Sequence, residues 1–462
     1  MGGGVSLTQK IINLAIWIVV FVVFIVLANL RDKKKYIRST SLILCVVVLI
    51  TQFISAVTPI AANDKFFMSK AEREGGEALV NYATYKNIDK YSTTGNIYYF
   101  VVDRFDEDYA EEMAEYDPEF FADLTGFTWF QDTIALYGHT FPSMAYLLTG
   151  IEYSCDKNRV DYYESVYSAE SSYLKELNAA GYDINLYSDS FYAYTSATLP
   201  DYIANKELCE PSLKSNFLLS LKMLELGSYV GVPLFFKTLF NNVSTSAFDK
   251  LFTFRTKAGV DGYASKNDSV WSHVQDLEFT ETTNKQFNLI HMEGCHEVES
   301  SDPDSSKSSI TMLKKSFKVI DVFIDNLKEK GLYDDATIII TGDHAAPHNN
   351  ITGVSGKRQM AVFFKPSQTE EDSKKALKKS QAKVEQKNIM PTIFESIGVT
   401  SELATKLGDK SLYLTNSNER KYIWHTYFGN CVESIYKVTG PGNDYDNWKL
   451  VSKKTYNRNI MD

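Results

Sequence analysis

NIYYFVVD, Asn96 to Asp103, is the stretch that decides how this chain is read. From Ile97 to Val102 the apolar side chains follow one another without alternation, and they are aromatic or β-branched. Such a run fits a strand buried on both faces, because a half-solvated strand would alternate. It ends on an acid, Asp103. Three later stretches share the design: YDINLYSD (182–189), QFNLIHMEG (286–294) and ATIIITGDH (336–344). Between them lie helical patterns, SSYLKELNAAG (171–181) and SSITMLKKSFKVIDVFIDNLKEKG (308–331), the second closed by Gly331. Strands that alternate with helices predict an α/β fold, a mostly parallel sheet sandwiched by helices. In such sheets ligands bind beyond the carboxyl ends of the strands. Asp103, the segment from His291 to His296, and the pair Asp343 and His344 all fall there.

The flanks define the organisation. Residues 11–30 carry no charge and are long enough to span a bilayer; a second uncharged stretch runs from 39 to 62. RDKKKYIR lies between them, and its Lys and Arg side chains predict a cytoplasmic hairpin loop. The expected arrangement is a two-span transmembrane hairpin (1–62), a juxtamembrane linker (63–94), a main α/β domain (95–420) and a small C-terminal antiparallel subdomain (421–462). The last is punctuated by GPGND at 440–444. Within the domain, 153–275 reads as a substrate-side insertion. Its apolar stretch 217–240 reads either as helices packed on the core or as a surface facing lipid. The domain is expected at the cell membrane, on the extracytoplasmic side.

Charge narrows the partners. The 462-residue chain has net charge −10, with 44% hydrophobic and 23% charged residues. The first 62 residues hold six basic side chains against Asp32, net +5, so the remainder carries −15. That excludes the basic footprint of a nucleic-acid binder. The five cysteines, Cys45, Cys155, Cys209, Cys295 and Cys431, match no zinc ribbon. They leave room for one pair, such as Cys155 with Cys209.

The chemistry centres on YGHTFPSMAYLLTG, 137–150. Taken singly, Thr140 before Phe-Pro-Ser is an N-cap that satisfies free amides at a helix start. Asp343-His344 taken singly is either the start of a metal site or a loop acid beside a solvated imidazole. The joint pattern says more. It resembles the alkaline phosphatase/sulfatase superfamily, whose C-x-P-S-R motif leads to Leu-Thr-Gly. Here that frame reads Thr140-Phe141-Pro142-Ser143-Met144 and ends Leu148-Thr149-Gly150. The resemblance also covers Asp103 after its strand, the late pair Asp343 and His344, and the helix NIMPTIFESIGV with Pro391 and Thr392. These landmarks run in order over about residues 95–400.

Two departures select a branch. Thr cannot become the formylglycine of sulfatases, and Met144 replaces the motif's arginine. The chain is therefore similar to branches in which Thr itself attacks phosphorus: membrane-anchored phosphoethanolamine transferases, lipoteichoic acid synthases and nucleotide phosphodiesterases. The first two have about five membrane spans against the two read here.

The resemblance implies a divalent metal, zinc or manganese, held by Asp103, Asp343, His344 and the nucleophile Thr140. His296, in Gly294-Cys295-His296, would contact the phosphoryl group or a second metal. His348, His425 and His291 are further candidates for a second metal or a phosphate contact, His291 more readily as a structural partner. Glu293 reads either as a ligand or as an exposed acid, His139 as a neighbour orienting the loop, and Cys295 as a packed small residue. The implied activity moves a phosphoglycerol or phosphoethanolamine group from a phospholipid donor to a cell-surface glycan or lipid acceptor through phospho-threonine. The alternatives are a phosphodiesterase or phosphatase, and an inactive tethered binding domain.

Overall fold

The computed structural model describes residues 79–213, 252–345, 359–426 and 430–458, with isolated helical positions between 11 and 39. Nearly all of both expected spans, the stretch 217–240 and His348 lie outside the described residues. Among those described, no helix is long and apolar enough to cross a membrane. The chain divides into two compact units, one of residues 80–209 with 254–462 and one of 3–79 with 210–253. The first holds every element discussed below.

Its centre is a seven-stranded sheet. In chain order the strands are β1 (Asn96–Val102), β2 (Thr128–Ile134), β3 (Tyr182–Tyr187), β4 (Lys285–Met292), β5 (Thr337–Thr341), β6 (Val362–Lys365) and β7 (Lys378–Glu385). Across the sheet they lie in the order β7, β2, β6, β5, β1, β4, β3. The four apolar runs singled out in the sequence are β1, β3, β4 and β5, and they pair in parallel as one block. The sheet is nonetheless mixed, because β6 runs antiparallel to both its neighbours, β5 and β2. A run such as VFFK declares burial but carries no sign of direction. Strand β3 belongs to this sheet although it falls within the stretch read as an insertion.

Strand β1 shows why the runs do not alternate. Ile97, Tyr99 and Val101 enter one apolar cluster, and Tyr98, Phe100 and Val102 enter another. The first cluster contains residues of helix α1 (Thr140–Thr149) and helix α2 (Ile389–Ser396). The second contains residues of the long helix Ser309–Glu329, which opens with the Ser308 side chain accepting from the Thr311 amide. The sheet therefore lies between two helical layers, and each side chain of β1 is withdrawn from water.

A three-stranded antiparallel sheet follows: β8 (Glu419–His425), β9 (Cys431–Thr439) and β10 (Trp448–Tyr456). It is bound to the main sheet by Arg420, whose guanidinium reaches both Asp132 carboxylate oxygens, Nη1 to Oδ1 at 2.7 Å and Nη2 to Oδ2 at 3.2 Å. A disulfide adds a second link. It joins Cys155 to Cys431, with Cα atoms 6.0 Å apart. The Cys155–Cys209 pairing expected as one option does not occur; Cys209 is a buried free thiol. Strand pairing explains it, since Cys209 sits opposite Val80 in a separate small ladder.

Candidate metal centre

Three parallel strands deliver the site. Asp103 follows β1, Asp343 and His344 follow β5, and His291 is the penultimate residue of β4. Thr140 is the first residue of α1, whose preceding residue His139 is extended, with φ −150° and ψ 146°. Here the helix has no side-chain cap. The Thr140 hydroxyl thus does not serve its own helix. It points instead at the strand ends, and it is buried at 6% exposure.

The distances are those of ligands around one ion. Thr140 Oγ1 lies 3.3 Å from His344 Nε2 and 3.5 Å from Asp103 Oδ2. His344 Nε2 lies 3.4 Å from Asp343 Oδ2 and 3.7 Å from Asp103 Oδ1. Two ligands each about 2.1 Å from a tetrahedral ion are separated by roughly 3.4 Å. His291 Nε2 adds a donor 3.9 Å from Asp103 Oδ2. Asp103, His291 and Asp343 also form a group whose ligand atoms lie within 4.8 Å of one another.

The chemistry of these atoms fits a divalent cation. Asp103 Oδ1, Asp343 Oδ2 and His291 Nε2 are all buried without a hydrogen-bond partner. Leaving such groups unsatisfied is costly unless something else binds them. His344 Nδ1 lies 2.7 Å from the Ala345 carbonyl, which can only accept. Nδ1 therefore donates to that carbonyl and leaves Nε2 turned toward the acids, the outer-shell arrangement usual for metal-binding histidines.

Electrostatics of the bare cluster agree. Burial pushes the Asp103 carboxyl well up, and the neighbouring Asp343 adds to the effect. Burial acts the same way on Asp343, but the charge of His344 and His291 in their protonated forms, together with the bond from the Arg104 amide, holds that carboxyl below its usual range. Burial takes His291 down to about 4, so it is a neutral donor near pH 7. Two close carboxylates pushed apart in this way are what a cation between them would relieve.

The supporting shell was only partly visible beforehand. Arg104 adopts φ +56°, and its amide donates to Asp343 Oδ1 at 3.0 Å. Its guanidinium Nη1 donates to the His296 carbonyl at 2.7 Å. Gln386 Nε2 donates to the Asp343 carbonyl at 2.9 Å, and its Oε1 accepts from the Leu136 amide at 3.3 Å. Ser188, directly after β3, lies 3.2 Å from His291 Nδ1. Arg104 beside Asp103 and Ser188 beyond YDINLY were findable from the rule about strand ends. Gln386 gave no signal, because it comes from a short 3₁₀ turn far along the chain.

The remaining histidines separate. The His296 side chain is exposed, and its backbone closes the turn through a bond from its amide to the Glu293 carbonyl at 3.0 Å. His139 Nε2 donates to the His425 carbonyl at 2.9 Å, and its ring lies 4.3 Å from that of Trp424. His425 itself is not gathered with Asp103. Its ring packs against Tyr153 and Tyr137, and its Nε2 lies 3.3 Å from Glu433 Oε2. Strand β8 turns the ring away to β9, which a one-dimensional reading of YIWHTYF cannot show. Cys295 is buried and free, packed in the second apolar cluster.

The sulfatase family model matches residues 118–399, and the chain belongs to that family, within the alkaline phosphatase/sulfatase superfamily of metal-dependent hydrolases and transferases. Similar solved structures include an alkaline phosphatase superfamily protein from Vibrio parahaemolyticus, 12% identical, covering 82% of this chain and 85% of that one with a TM-score of 0.44. The lipoteichoic acid synthase LtaP from Listeria monocytogenes is 13% identical, covering 82% and 90% with a TM-score of 0.37. The phosphonate monoester hydrolase from Silicibacter pomeroyi is 12% identical, covering 79% and 89% with a TM-score of 0.39. No curated protein matches the sequence.

Proposed function

We propose that this chain is a phosphotransferase in which Thr140 attacks a phosphodiester and carries the phosphoryl group to an acceptor hydroxyl. The observation that carries the reading is the position of Thr140 Oγ1, 3.3 Å from His344 Nε2 and 3.5 Å from Asp103 Oδ2 at the start of a helix it does not cap. A threonine is inert to the formylglycine chemistry of sulfate ester cleavage, so at this position it serves as the nucleophile itself.

Asp103, Asp343, His344 and Thr140 would hold a zinc or manganese ion, with His291 as the neighbouring neutral donor. A bound divalent ion supplies charge that makes the threonine alkoxide accessible near neutral pH and offsets charge on the phosphoryl oxygens. In the first half-reaction Thr140 Oγ forms a bond to phosphorus, the bond from phosphorus to the donor alcohol breaks, and the hydroxyl proton passes to the departing alcohol. In the second, the acceptor oxygen bonds to phosphorus, the Thr140 ester breaks and Oγ regains a proton. The Arg104 amide and Gln386 hold Asp343 in place through both halves.

The donor in this reading is a phospholipid and the transferred group phosphoglycerol or phosphoethanolamine. The acceptor is a cell-surface glycan or lipid, and the site faces outward from the membrane. The uncharged N-terminal stretches and the acidic balance of the rest support this. With water as acceptor, the same residues make a phosphodiesterase.

The test is the intact mass of the full chain in detergent, metal-loaded and incubated with mixed phospholipids, beside Thr140→Ala. An increment confined to the unsubstituted chain and mapped to Thr140 supports the transferase, and its size identifies the group. Turnover of a soluble phosphodiester with no rapid-quench increment would favour direct hydrolysis. Neither increment, turnover nor bound metal would overturn the enzymatic reading.

A further inference from the structure

We infer that Cys155, Cys431, His425 and Glu433 form a second metal site, a zinc-binding alternative to the Cys155–Cys431 disulfide. It is independent of the reading of Thr140.

The geometry begins with β8 and β9. In their antiparallel ladder His425 lies directly opposite Glu433, and Cys431 sits two residues before Glu433. Alternation along a strand places Cys431 and Glu433 on the same face. Cys155 comes from the segment after α1 and meets Cys431 across 276 residues of sequence. One ligand atom each from Cys155, His425 and Glu433 lies within 4.8 Å of the others. The Cys431 sulfur, bonded to that of Cys155, adjoins this group as a fourth donor, so the set is two sulfurs, an imidazole nitrogen and a carboxylate oxygen. That set suits tetrahedral zinc, and the thiolates favour zinc over the harder divalent ions.

A structural disulfide needs neither neighbour. The His425 side chain is 1% exposed, and its Nδ1 has no hydrogen-bond partner. The Glu433 side chain is 12% exposed and is braced by the Tyr456 hydroxyl, which donates to Oε1 at 3.4 Å. A buried imidazole with a free nitrogen and an oriented carboxylate beside two sulfurs is better explained by a cation that all four can bind.

The conversion balances. A dithiol reductant supplies two electrons and two protons, closing its own disulfide as the Cys155–Cys431 bond opens to two thiols. A zinc ion then replaces the two thiol protons, which pass to solvent. In either form the segment after α1 stays fixed to the small sheet. Because His139 donates to the His425 carbonyl, that link reaches the residue before Thr140.

Cobalt separates this site from the Asp103 cluster, which contains no sulfur. The full chain is reduced with a dithiol, freed of reductant without oxygen, and titrated with cobalt. The expected result is a near-ultraviolet thiolate-to-cobalt charge-transfer band that is absent from the oxidised chain and bleached by zinc. Cys431→Ser abolishes the band, His425→Asn weakens cobalt binding about tenfold or more, and Asp343→Asn leaves the band unchanged. Circular dichroism of each variant, and the thermal transition of the reduced chain with and without zinc, separate loss of a ligand from loss of fold. No band in the folded, reduced chain would overturn the inference. A band indifferent to both His425→Asn and Glu433→Gln would also overturn it, since two thiols would then be collecting metal by themselves.

Discussion

The Arg104 amide donates to Asp343 Oδ1 at 3.0 Å, so the second residue after β1 grips the acid after its parallel neighbour β5. Arg104 does this from a left-handed conformation, φ +56°, that costs a non-glycine residue roughly 1–2 kcal/mol. Its guanidinium meanwhile holds the His296 carbonyl beyond β4. Three adjacent strand ends are thereby locked together, and Asp103 sits at the middle one.

Gly294 tests how tight that lock is. It has φ +54°, and an added Cβ would lie 2.5 Å from the Asp103 amide nitrogen and 2.7 Å from its carbonyl oxygen. Backbone atoms cannot swing aside. Gly294→Ala is expected to destabilise the fold by about 2–4 kcal/mol through overpacking and left-handed strain. Denaturant unfolding measures this, and metal affinity should fall with it as Asp103 shifts.

Substitutions at Thr140 separate the nucleophile from its surroundings. Thr140→Ala should reduce turnover of a chromogenic phosphodiester by about a thousandfold or more, the scale seen when a nucleophile is deleted. Thr140→Ser keeps the oxygen and should retain measurable turnover and the covalent increment. Equal activity in all three proteins would exclude Thr140 as the attacking group.

Gln386 reaches the site only through backbone. Replacing it with Leu strands the Asp343 carbonyl and the Leu136 amide, at about 1–3 kcal/mol for each buried group left unpaired. Loss of an outer-shell partner typically weakens a metal site by 10–100-fold. Calorimetric metal titration of Gln386→Leu should show a loss in that range, with metal stoichiometry retained.

Glu107 predicts the pH dependence of stability. It is 2% exposed and its Oε2 accepts from Trp129 Nε1 at 2.9 Å. Burial raises its carboxyl from 4.5 to about 9, the Trp129 bond offsetting only part. The folded chain therefore keeps a proton that the unfolded chain releases. The resulting stability is fully present below about pH 4.5 and is lost as pH rises toward 9. Glu107→Gln should flatten this slope in unfolding measured from pH 5 to 9. A slope unchanged in the variant would assign the effect to another group.

Gly138 tests the seat of the small sheet. Its Cβ would meet the Tyr422 hydroxyl at 2.3 Å and the Trp424 ring at 2.7 Å. Gly138→Ala should cost about 1–3 kcal/mol and displace the turn leading into Thr140. Adding Tyr422→Phe removes one of the two collisions and should recover part of both stability and turnover.

Local pattern carried the elements. The unbroken runs of β1, β3, β4 and β5 announce strands buried on both faces, and the helical pattern closed by Gly331 announces the long helix. The polar residues that end those runs mark one edge of the sheet, because parallel strands share a direction and so present their carboxyl ends together. That is as far as nearest-neighbour chemistry extends along a chain. Tertiary structure alone decided that β6 enters the sheet reversed and that Cys155 meets Cys431 rather than Cys209. It also decided that His291 turns its free nitrogen toward Asp103 while His425 turns to Glu433. Each outcome depends on which segments become neighbours across the sheet, some of them 276 residues apart. Burial and pairing select those neighbours for the molecule as a whole, and no short stretch of sequence encodes them.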